Sequence, residues 1–152
     1  MNLIVDIGNT SIKVAQFQQG NCISLERFKD QRLFLKHSSS LSFNNAIISS
    51  VREETFTKNF LDQFEKALVL SHKTPLPISN LYRTPETLGN DRLANAVGAF
   101  NTFPDQNTLT IDVGTCLKFD FINTNNEYLG GSIAPGLRMR FNALHTLTDN
   151  LP

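Results

Sequence analysis

Two segments of the sequence share a pattern that could bind a polyphosphate. Residues 3–10 and 109–115 each read as an apolar strand that ends in Asp-x-Gly, followed by Thr and a second apolar strand. Glycine lets the backbone turn sharply and approach a phosphate closely. Backbone N–H groups can then donate to phosphate oxygens. Polar side chains that could do the same are those of Asn9, Thr10, Ser11 and Thr115.

Each segment also carries a carboxylate that a phosphate would repel. Asp6 and Asp112 lie at the end of the first strand of each predicted hairpin. A bare carboxylate beside a polyphosphate implies a cation between the two. Asp-x-Gly alone is a common turn signal. Two copies in the same strand–turn–strand setting favour nucleotide binding over a plain turn.

The run Gly89-Asn90-Asp91-Arg92 opens a predicted helix and suits phosphoryl transfer to an alcohol. The positive end of the helix dipole keeps a carboxylate in the first turn ionised. Asp91 is therefore the candidate general base that accepts the hydroxyl proton. Arg92 suits a substrate carboxylate or the transferring phosphoryl group. The structural alternatives are a helix N-cap for Asp91 and a surface ion pair for Arg92.

The surrounding elements predict an α/β fold. The first 28 residues read as a three-stranded meander, and residues 45–51 as a buried parallel strand. Residues 71–90 hold three of the six prolines and read as a functional loop. Gly130-Gly131 and Pro135-Gly136 are interpreted as breaks before the last helix. Helices are predicted over 30–36, 53–67, 91–103 and 137–147, and further strands over 68–70, 109–112, 117–122 and 127–129.

The composition excludes several classes of function. Fourteen basic residues balance fourteen acidic ones without long runs, so no field favours nucleic acid or an anionic membrane. Cys22 and Cys116 form no CxxC pair, which argues against zinc and against a disulfide framework. Asp6 interrupts any signal-peptide core, and no apolar run approaches the roughly 20 residues of a membrane span. We therefore expect a soluble cytoplasmic protein that binds neither nucleic acid nor membrane.

Four motifs together resemble type III pantothenate kinases, which belong to the actin, Hsp70 and sugar-kinase superfamily. The order and spacing of the motifs match the family over the whole chain. The resemblance implies an actin-like (ribonuclease H-like) ATPase fold, in which ATP lies between two related α/β halves. The motifs are Asp6-Ile7-Gly8-Asn9-Thr10, Gly89-Asn90-Asp91-Arg92, Asp112-Val113-Gly114-Thr115 with Asp120, and Gly130-Gly131-Ser132-Ile133-Ala134-Pro135-Gly136.

The resemblance also implies how the chain is divided. Residues 1–104 would form a complete first actin-like half with the nucleotide hairpin and the substrate loop. Residues 105–152 would begin a second half that is truncated, because family members continue for roughly another half domain. We therefore expect these 152 residues alone to have little or no kinase activity, and any crystal to bury the second-half surface against another copy.

The implied activity is ATP-dependent phosphorylation of pantothenate to 4'-phosphopantothenate, the first step of coenzyme A biosynthesis. The implied cofactors are ATP, Mg²⁺ and a monovalent cation, K⁺ or NH₄⁺, and the implied assembly is a homodimer. One alternative is another phosphotransferase or phosphatase of the superfamily, against which the Gly89–Arg92 motif argues. A second alternative, from a different class, is a non-catalytic nucleotide-binding accessory regulator.

The family's functional residues transfer to the matching positions. Asp91 would be the catalytic base and Asp112 the ligand of the monovalent cation, while the role of Asp120 stays open. The substrate-binding residues would be Tyr82, Gly89, Asn90, Asp91 and Arg92. The ATP-binding residues would be Asp6, Ile7, Gly8, Asn9, Thr10, Ser11, Ile12, Lys13 and Thr115.

This sequence departs from the family directly after the second Gly-Thr. It has Cys116-Leu117-Lys118 where many relatives carry smaller or hydroxylated residues. We expect this departure to change nucleotide affinity.

Overall fold

The computed structural model of the protein describes residues 1–52 and 67–151. Contacts divide the chain into two units, Met1–Thr74 with Gly89–Asp91, and Pro75–Leu88 with Arg92–Pro152. Each unit is described by itself. The helix predicted over 53–67 lies, apart from residue 67, outside the described residues. The boundary that the resemblance implies at residue 104 stays a prediction.

The first unit is built on a five-stranded sheet with the order β3-β2-β1-β4-β5. Strands β1 (Asn2–Ile7), β2 (Ile12–Gln18) and β3 (Asn21–Phe28) form the predicted antiparallel meander. Strand β4 (Asn45–Ser50) pairs in parallel with β1, and β5 (Ala67–Val69) pairs in parallel with β4. The predicted buried parallel strand is therefore confirmed.

The core of the first unit is formed by alternate residues of these strands. Successive side chains of a strand point to opposite faces, and in β1 Leu3, Val5 and Ile7 are fully buried. Helix α1 (Gln31–Ser38) adds Phe34, which is also fully buried. Each such side chain contributes about 1.5–3 kcal/mol through burial. The turn between β1 and β2 is therefore attached to a well-packed sheet.

The second unit contains a four-stranded sheet with the order β6-β9-β8-β7. Strands β7 (Thr108–Val113), β8 (Cys116–Ile122) and β9 (Glu127–Pro135) form a second antiparallel meander. Strand β6 (Ser79–Asn80) lies in the predicted functional loop and pairs in parallel with β9. A short 3₁₀ helix over Pro85–Thr87 follows in the same loop. The loop is therefore anchored to the second sheet.

Two further helices occur among the described residues. Helix α2 (Asn90–Thr102) begins in the first unit and continues in the second, where it buries Leu93 and Ala96. Helix α3 (Leu137–Leu147) has the predicted bounds, but none of its residues is buried. Strand β7 likewise leaves three apolar side chains more than half exposed, namely Leu109, Ile111 and Val113. No helix of the described residues is long and apolar enough to cross a membrane.

The interpretation of Gly130-Gly131 as a break before the last helix is wrong, because β9 continues through both residues to Pro135. A Cβ atom at Gly131 would overlap the carbonyl oxygen of Phe119 on β8. Gly130 has a φ of +90° and lies beside a register shift between β8 and β9. The two glycines therefore permit a close approach of strands and a left-handed backbone conformation within a strand.

Candidate functional site

The turn between β1 and β2 is the first predicted phosphate-binding hairpin. The N–H of Gly8 donates to the carbonyl oxygen of Ser11 over 3.1 Å. A Cβ atom at Gly8 would stand only 3.2 Å from that oxygen, so the turn is tight. Asn9 and Thr10 are exposed at its tip, whereas Ile7, Ser11 and Ile12 are buried. The tip is therefore the part of this predicted segment that a ligand can reach.

The hydroxyl of Ser11 also supports the hairpin from within the protein. Its Oγ accepts a hydrogen bond of 2.8 Å from Nε of Arg27 on β3. Ser11 is 6% exposed. Its predicted role as a phosphate donor therefore requires the hydroxyl hydrogen to point away from Arg27.

Arg52 holds the same turn through two backbone carbonyls. Its Nε donates to the carbonyl oxygen of Gly8 over 3.0 Å, and its Nη2 donates to that of Asn9 over 2.8 Å. The planar guanidinium fixes the orientation of both carbonyls. In a trans peptide the N–H points opposite to the C=O. The N–H groups of Asn9 and Thr10 therefore point away from Arg52.

Asp6 and Lys13 face each other across β1 and β2. The Nζ atom of Lys13 lies 3.3 Å from Oδ2 of Asp6, and the lysine side chain is 55% exposed. An exposed pair of this kind typically contributes about 1 kcal/mol or less. The ammonium of Lys13 is therefore held weakly and remains accessible to solvent.

The second hairpin repeats this arrangement with a shorter turn. Only Gly114 and Thr115 separate β7 from β8, and the N–H of Gly114 donates to the carbonyl oxygen of Cys116 over 3.0 Å. Gly136 lies against this turn, where its N–H donates to the carbonyl oxygen of Thr115 over 3.1 Å. A Cβ atom at Gly136 would overlap that oxygen. Thr115 itself is exposed at the tip.

Asp112, the predicted ligand of a monovalent cation, is paired with Lys118 across β7 and β8. The Nζ atom of Lys118 lies 2.7 Å from Oδ2 of Asp112. A second cation at this oxygen would be repelled by the ammonium. The described part of the chain also contains no group of three or more His, Cys, Asp or Glu side chains that could hold a metal ion. The position beside Oδ2 of Asp112 where a monovalent cation would bind is taken by the Lys118 ammonium.

Asp120 is the centre of a buried polar cluster in the second unit. It is fully buried, and its Oδ1 accepts hydrogen bonds from Nε and Nη2 of Arg92 over 2.9 and 2.6 Å. The hydroxyl of Tyr128 donates to the same oxygen over 2.6 Å. The other oxygen, Oδ2, is buried and accepts no hydrogen bond from any described residue. Arg92 therefore forms an ion pair, as the structural alternative expected, but the pair is buried and not at the surface.

This cluster changes the acidity of two of its members. Burial alone would lower the pKa of Arg92, but the hydrogen bond to Asp120 and its charge outweigh that effect and leave the pKa raised. Burial, followed by the hydrogen bond to Asp120, raises the pKa of Tyr128. Arg92 is therefore cationic and Tyr128 neutral under any physiological condition.

Tyr82 packs onto the same cluster. Its ring stacks on that of Tyr128 with the centroids 6.3 Å apart and the planes at 26°. The guanidinium carbon of Arg92 lies 5.6 Å from the centroid of the Tyr82 ring. A Cβ atom at Gly130 would stand 2.7 Å from Cδ2 of this ring. The structure therefore brings together Tyr82 and Arg92, two of the predicted substrate residues.

The remaining predicted substrate residues, Gly89, Asn90 and Asp91, group with the first unit. The side-chain amide of Asn90 donates to the carbonyl oxygen of Ser50 over 3.1 Å. Asp91 lies in the first turn of α2, where the helix dipole favours a carboxylate. The start of α2 is therefore fixed next to the end of β4.

Comparisons with known proteins decide the family. The family model described as type III pantothenate kinase matches residues 2–152. The chain belongs to this family. Its relatives include proteins named type III pantothenate kinase from Phocaeicola vulgatus, at 43% identity, and Christiangramia forsetii, at 41%. Both alignments cover 100% of this chain, which spans 64% and 65% of the two relatives' lengths.

A solved structure similar in fold to this chain is that of a Campylobacter jejuni protein described as a Baf family transcriptional activator. The TM-score is 0.62 at 19% sequence identity, and the match covers 96% of this chain and 60% of that chain. At this level of identity the likeness concerns the fold alone.

Two residues that support the candidate sites were not predicted from the sequence, namely Arg52 and Tyr128. Arg52 lies two residues after the end of β4, and the carboxyl end of β4 lies beside that of β1 because the two strands are parallel. That parallel pairing was a usable signal. Tyr128 lies in β9, where a tyrosine is expected to pack as an aromatic side chain. Nothing in its local sequence indicates the hydrogen bond to Asp120.

Proposed function

We propose that this protein transfers the γ-phosphoryl group of ATP to pantothenate and forms 4'-phosphopantothenate, the first step of coenzyme A biosynthesis. The observation that carries the proposal is the match of the family model to residues 2–152. That range includes both Asp-x-Gly hairpins and the Gly89–Arg92 motif.

We also propose that the mixed α/β architecture is an actin-like ATPase fold, with a complete first half over 1–104 and the incomplete start of a second half over 105–152. Each sheet contains an antiparallel three-stranded meander, β1-β2-β3 in one and β7-β8-β9 in the other. In each meander the first turn follows Asp-x-Gly. This repetition supports two related halves.

In the proposed reaction, ATP is used as its Mg²⁺ complex, and each hairpin by itself would offer donors for phosphate oxygens. On the first hairpin the N–H groups of Asn9 and Thr10, oriented by Arg52, would donate to phosphate oxygens. Lys13 would contribute positive charge, because its pair with Asp6 is weak and exposed. On the second hairpin the exposed Thr115 would supply a further donor.

Asp91 is proposed as the general base. As the primary hydroxyl oxygen of pantothenate bonds to the γ-phosphorus, its proton passes to the Asp91 carboxylate. The bond from that phosphorus to the β–γ bridging oxygen breaks, and ADP leaves with the electron pair. Asp91 lies in the first turn of α2, where the helix dipole favours a carboxylate, the form of the side chain that a general base requires.

Arg92 and Tyr82 are proposed to bind the acceptor, with the guanidinium facing the pantothenate carboxylate. Asp120 holds Arg92 through two hydrogen bonds, and the ring of Tyr82 lies over the guanidinium. A guanidinium held in one orientation before the substrate arrives loses less entropy on binding. Gly89 and Asn90 would add contacts from the start of α2.

The assembly is proposed to be a homodimer located in the cytoplasm, with neither nucleic acid nor membrane as a partner. The homodimer rests on the family resemblance. Light scattering of the purified protein would measure the mass of the assembly.

The activity is tested on the complete protein rather than on residues 1–152 alone, by incubating it with Mg-ATP and, separately, pantothenate, pantetheine and a panel of sugars. We expect ADP release only with acceptors that share the pantothenate hydroxyl end, and a product that mass spectrometry shows to carry one phosphoryl group. ADP release with a sugar instead would favour the other phosphotransferases. ATP binding without turnover on any acceptor would favour the regulator.

A further inference from the structure

The two hairpins share a feature that their motifs do not include. In each, a lysine of the second strand lies directly opposite the aspartate of the first, Lys13 opposite Asp6 and Lys118 opposite Asp112. The two pairs differ in how firmly they are held. The Nζ–Oδ2 distance is 3.3 Å in the first pair and 2.7 Å in the second. The lysine side chain is 55% exposed in the first and only 13% exposed in the second.

The position of Lys118 explains its confinement. It lies on β8, which is paired on one side with β7 and on the other with β9. Its backbone register is fixed by Asp112 on one neighbour and by Ile133 on the other. An ammonium group attached to this strand is present beside Asp112 at a high effective concentration, whatever the salt in solution.

We infer that Lys118 is a built-in monovalent cation, whose ammonium supplies the positive charge that Asp112 requires beside a polyphosphate. The lysine ammonium has the same charge as the ammonium ion, and it has three N–H donors where that ion has four. This protein should therefore not require free K⁺ or NH₄⁺, in contrast to what the resemblance implies. The inference depends on the proposed function in one respect, which is that the polyphosphate beside Asp112 is ATP.

The first test measures cation binding without any need for turnover. Thermal unfolding is followed in KCl and in tetramethylammonium chloride at equal ionic strength. The melting temperature of the wild-type protein should be the same in both salts. In Lys118→Thr the uncovered Asp112 should bind K⁺ and raise the melting temperature by about 2–4 °C at a K⁺ concentration of about ten times Kd.

Two further variants make this result specific. Lys118→Arg keeps a tethered cation and should show no response to K⁺. The double variant Lys118→Thr with Asp112→Asn removes the carboxylate and should also lose the response. A rise in the melting temperature of the wild type with K⁺, or the same response in all variants, would overturn the inference. The wild-type measurement alone can overturn the inference. The inference therefore remains testable even if a variant does not fold.

The second test measures the apparent affinity for ATP in the same two salts. The wild type should differ by less than about twofold between them. Lys118→Thr should lose about tenfold in affinity in the organic salt, equivalent to about 1.4 kcal/mol, and K⁺ should restore it. Absence of pantothenate-dependent turnover would refute the proposed function, and the unfolding measurements would then still decide the role of Lys118.

Discussion

Arg92 and Asp120 are joined by two hydrogen bonds that end on one oxygen. Nε and Nη2 of Arg92 both donate to Oδ1, over 2.9 and 2.6 Å, rather than one to each oxygen of the carboxylate. Oδ2 is left buried with no described partner. A buried acceptor in this state costs free energy. This geometry therefore fixes the orientation of the guanidinium but leaves one oxygen of the Asp120 carboxylate without a hydrogen bond from the described residues.

Removal of the carboxylate should destabilise the protein strongly. Asp120→Ala removes the carboxylate opposite the buried Arg92 guanidinium, and the free energy of unfolding should fall by about 3–5 kcal/mol in urea titrations. The double variant Arg92→Met with Asp120→Leu replaces the pair with apolar groups and should be more stable than Asp120→Ala. Equal stability of the two variants would show that the pair is not the cause.

Replacement of the proposed base should affect turnover and leave nucleotide binding intact. Asp91→Asn keeps the shape of the side chain but cannot accept the hydroxyl proton. We expect kcat to fall by about 10²–10⁴-fold, with ATP affinity unchanged in a calorimetric titration. An unchanged kcat would rule out Asp91 as the base.

The strand glycines should be intolerant of a side chain. Gly131→Ala would place a methyl group on the carbonyl oxygen of Phe119, and it should lower the free energy of unfolding by about 3 kcal/mol or more. Gly98→Ala is the matched control, because a Cβ atom at Gly98 in α2 meets nothing within 4 Å. It should leave stability unchanged or raise it by up to about 1 kcal/mol. Similar effects of both changes would contradict the close approach of β8 and β9.

The first hairpin should depend on the shape of Arg52 and not only on its charge. Arg52→Lys keeps the charge but cannot hold the carbonyl oxygens of Gly8 and Asn9 together. We expect the KM for ATP to rise about tenfold, equivalent to about 1.4 kcal/mol, and the KM for pantothenate to stay the same. Arg32→Lys, on the exposed side of α1, is the control. Equal KM values for ATP in both variants would refute the role of Arg52.

The raised pKa of Tyr128 predicts a loss of stability in alkali. The unfolded chain releases the tyrosine proton near pH 10, whereas the folded protein retains it to higher pH. The stabilising contribution is therefore complete below about pH 10 and decreases above it. Chemical unfolding from pH 8 to 11 should show a steeper decline for the wild type than for Tyr128→Phe. Parallel declines would mean that Tyr128 does not titrate in this way.

Both hairpins and the positions of most strands along the chain could be predicted from the sequence because they depend on local signals. Apolar runs that end in Asp-x-Gly identify a strand and a turn, and the start of α1 differs by one residue from the prediction because Asp30 caps the helix. The prediction of a break at Gly130-Gly131 is wrong for a general reason. A glycine that ends an element and a glycine that admits a neighbouring backbone look identical in one sequence.

The contacts between distant residues could not be predicted in this way. Arg92 and Asp120 each carry a charge that a surface position would explain equally well, and only the packing of α2 on the second sheet makes their burial necessary. The pairing of Asp112 with Lys118 follows from the hairpin register, which the two-residue turn sets. Lys118 departs from the family pattern, and only the register of the hairpin identifies Asp112 as its partner.

The parallel pairing of β6 with β9 has a consequence for the order of events during protein synthesis. Ser79 and Asn80 hydrogen-bond to a strand that begins at Glu127, so their partner leaves the ribosome about 2–10 s later at 5–20 residues per second. Until then the segment that carries Tyr82 has no sheet edge to join. Its folding therefore waits for β9, while the meander of β1, β2 and β3 can form from neighbouring sequence as soon as it emerges.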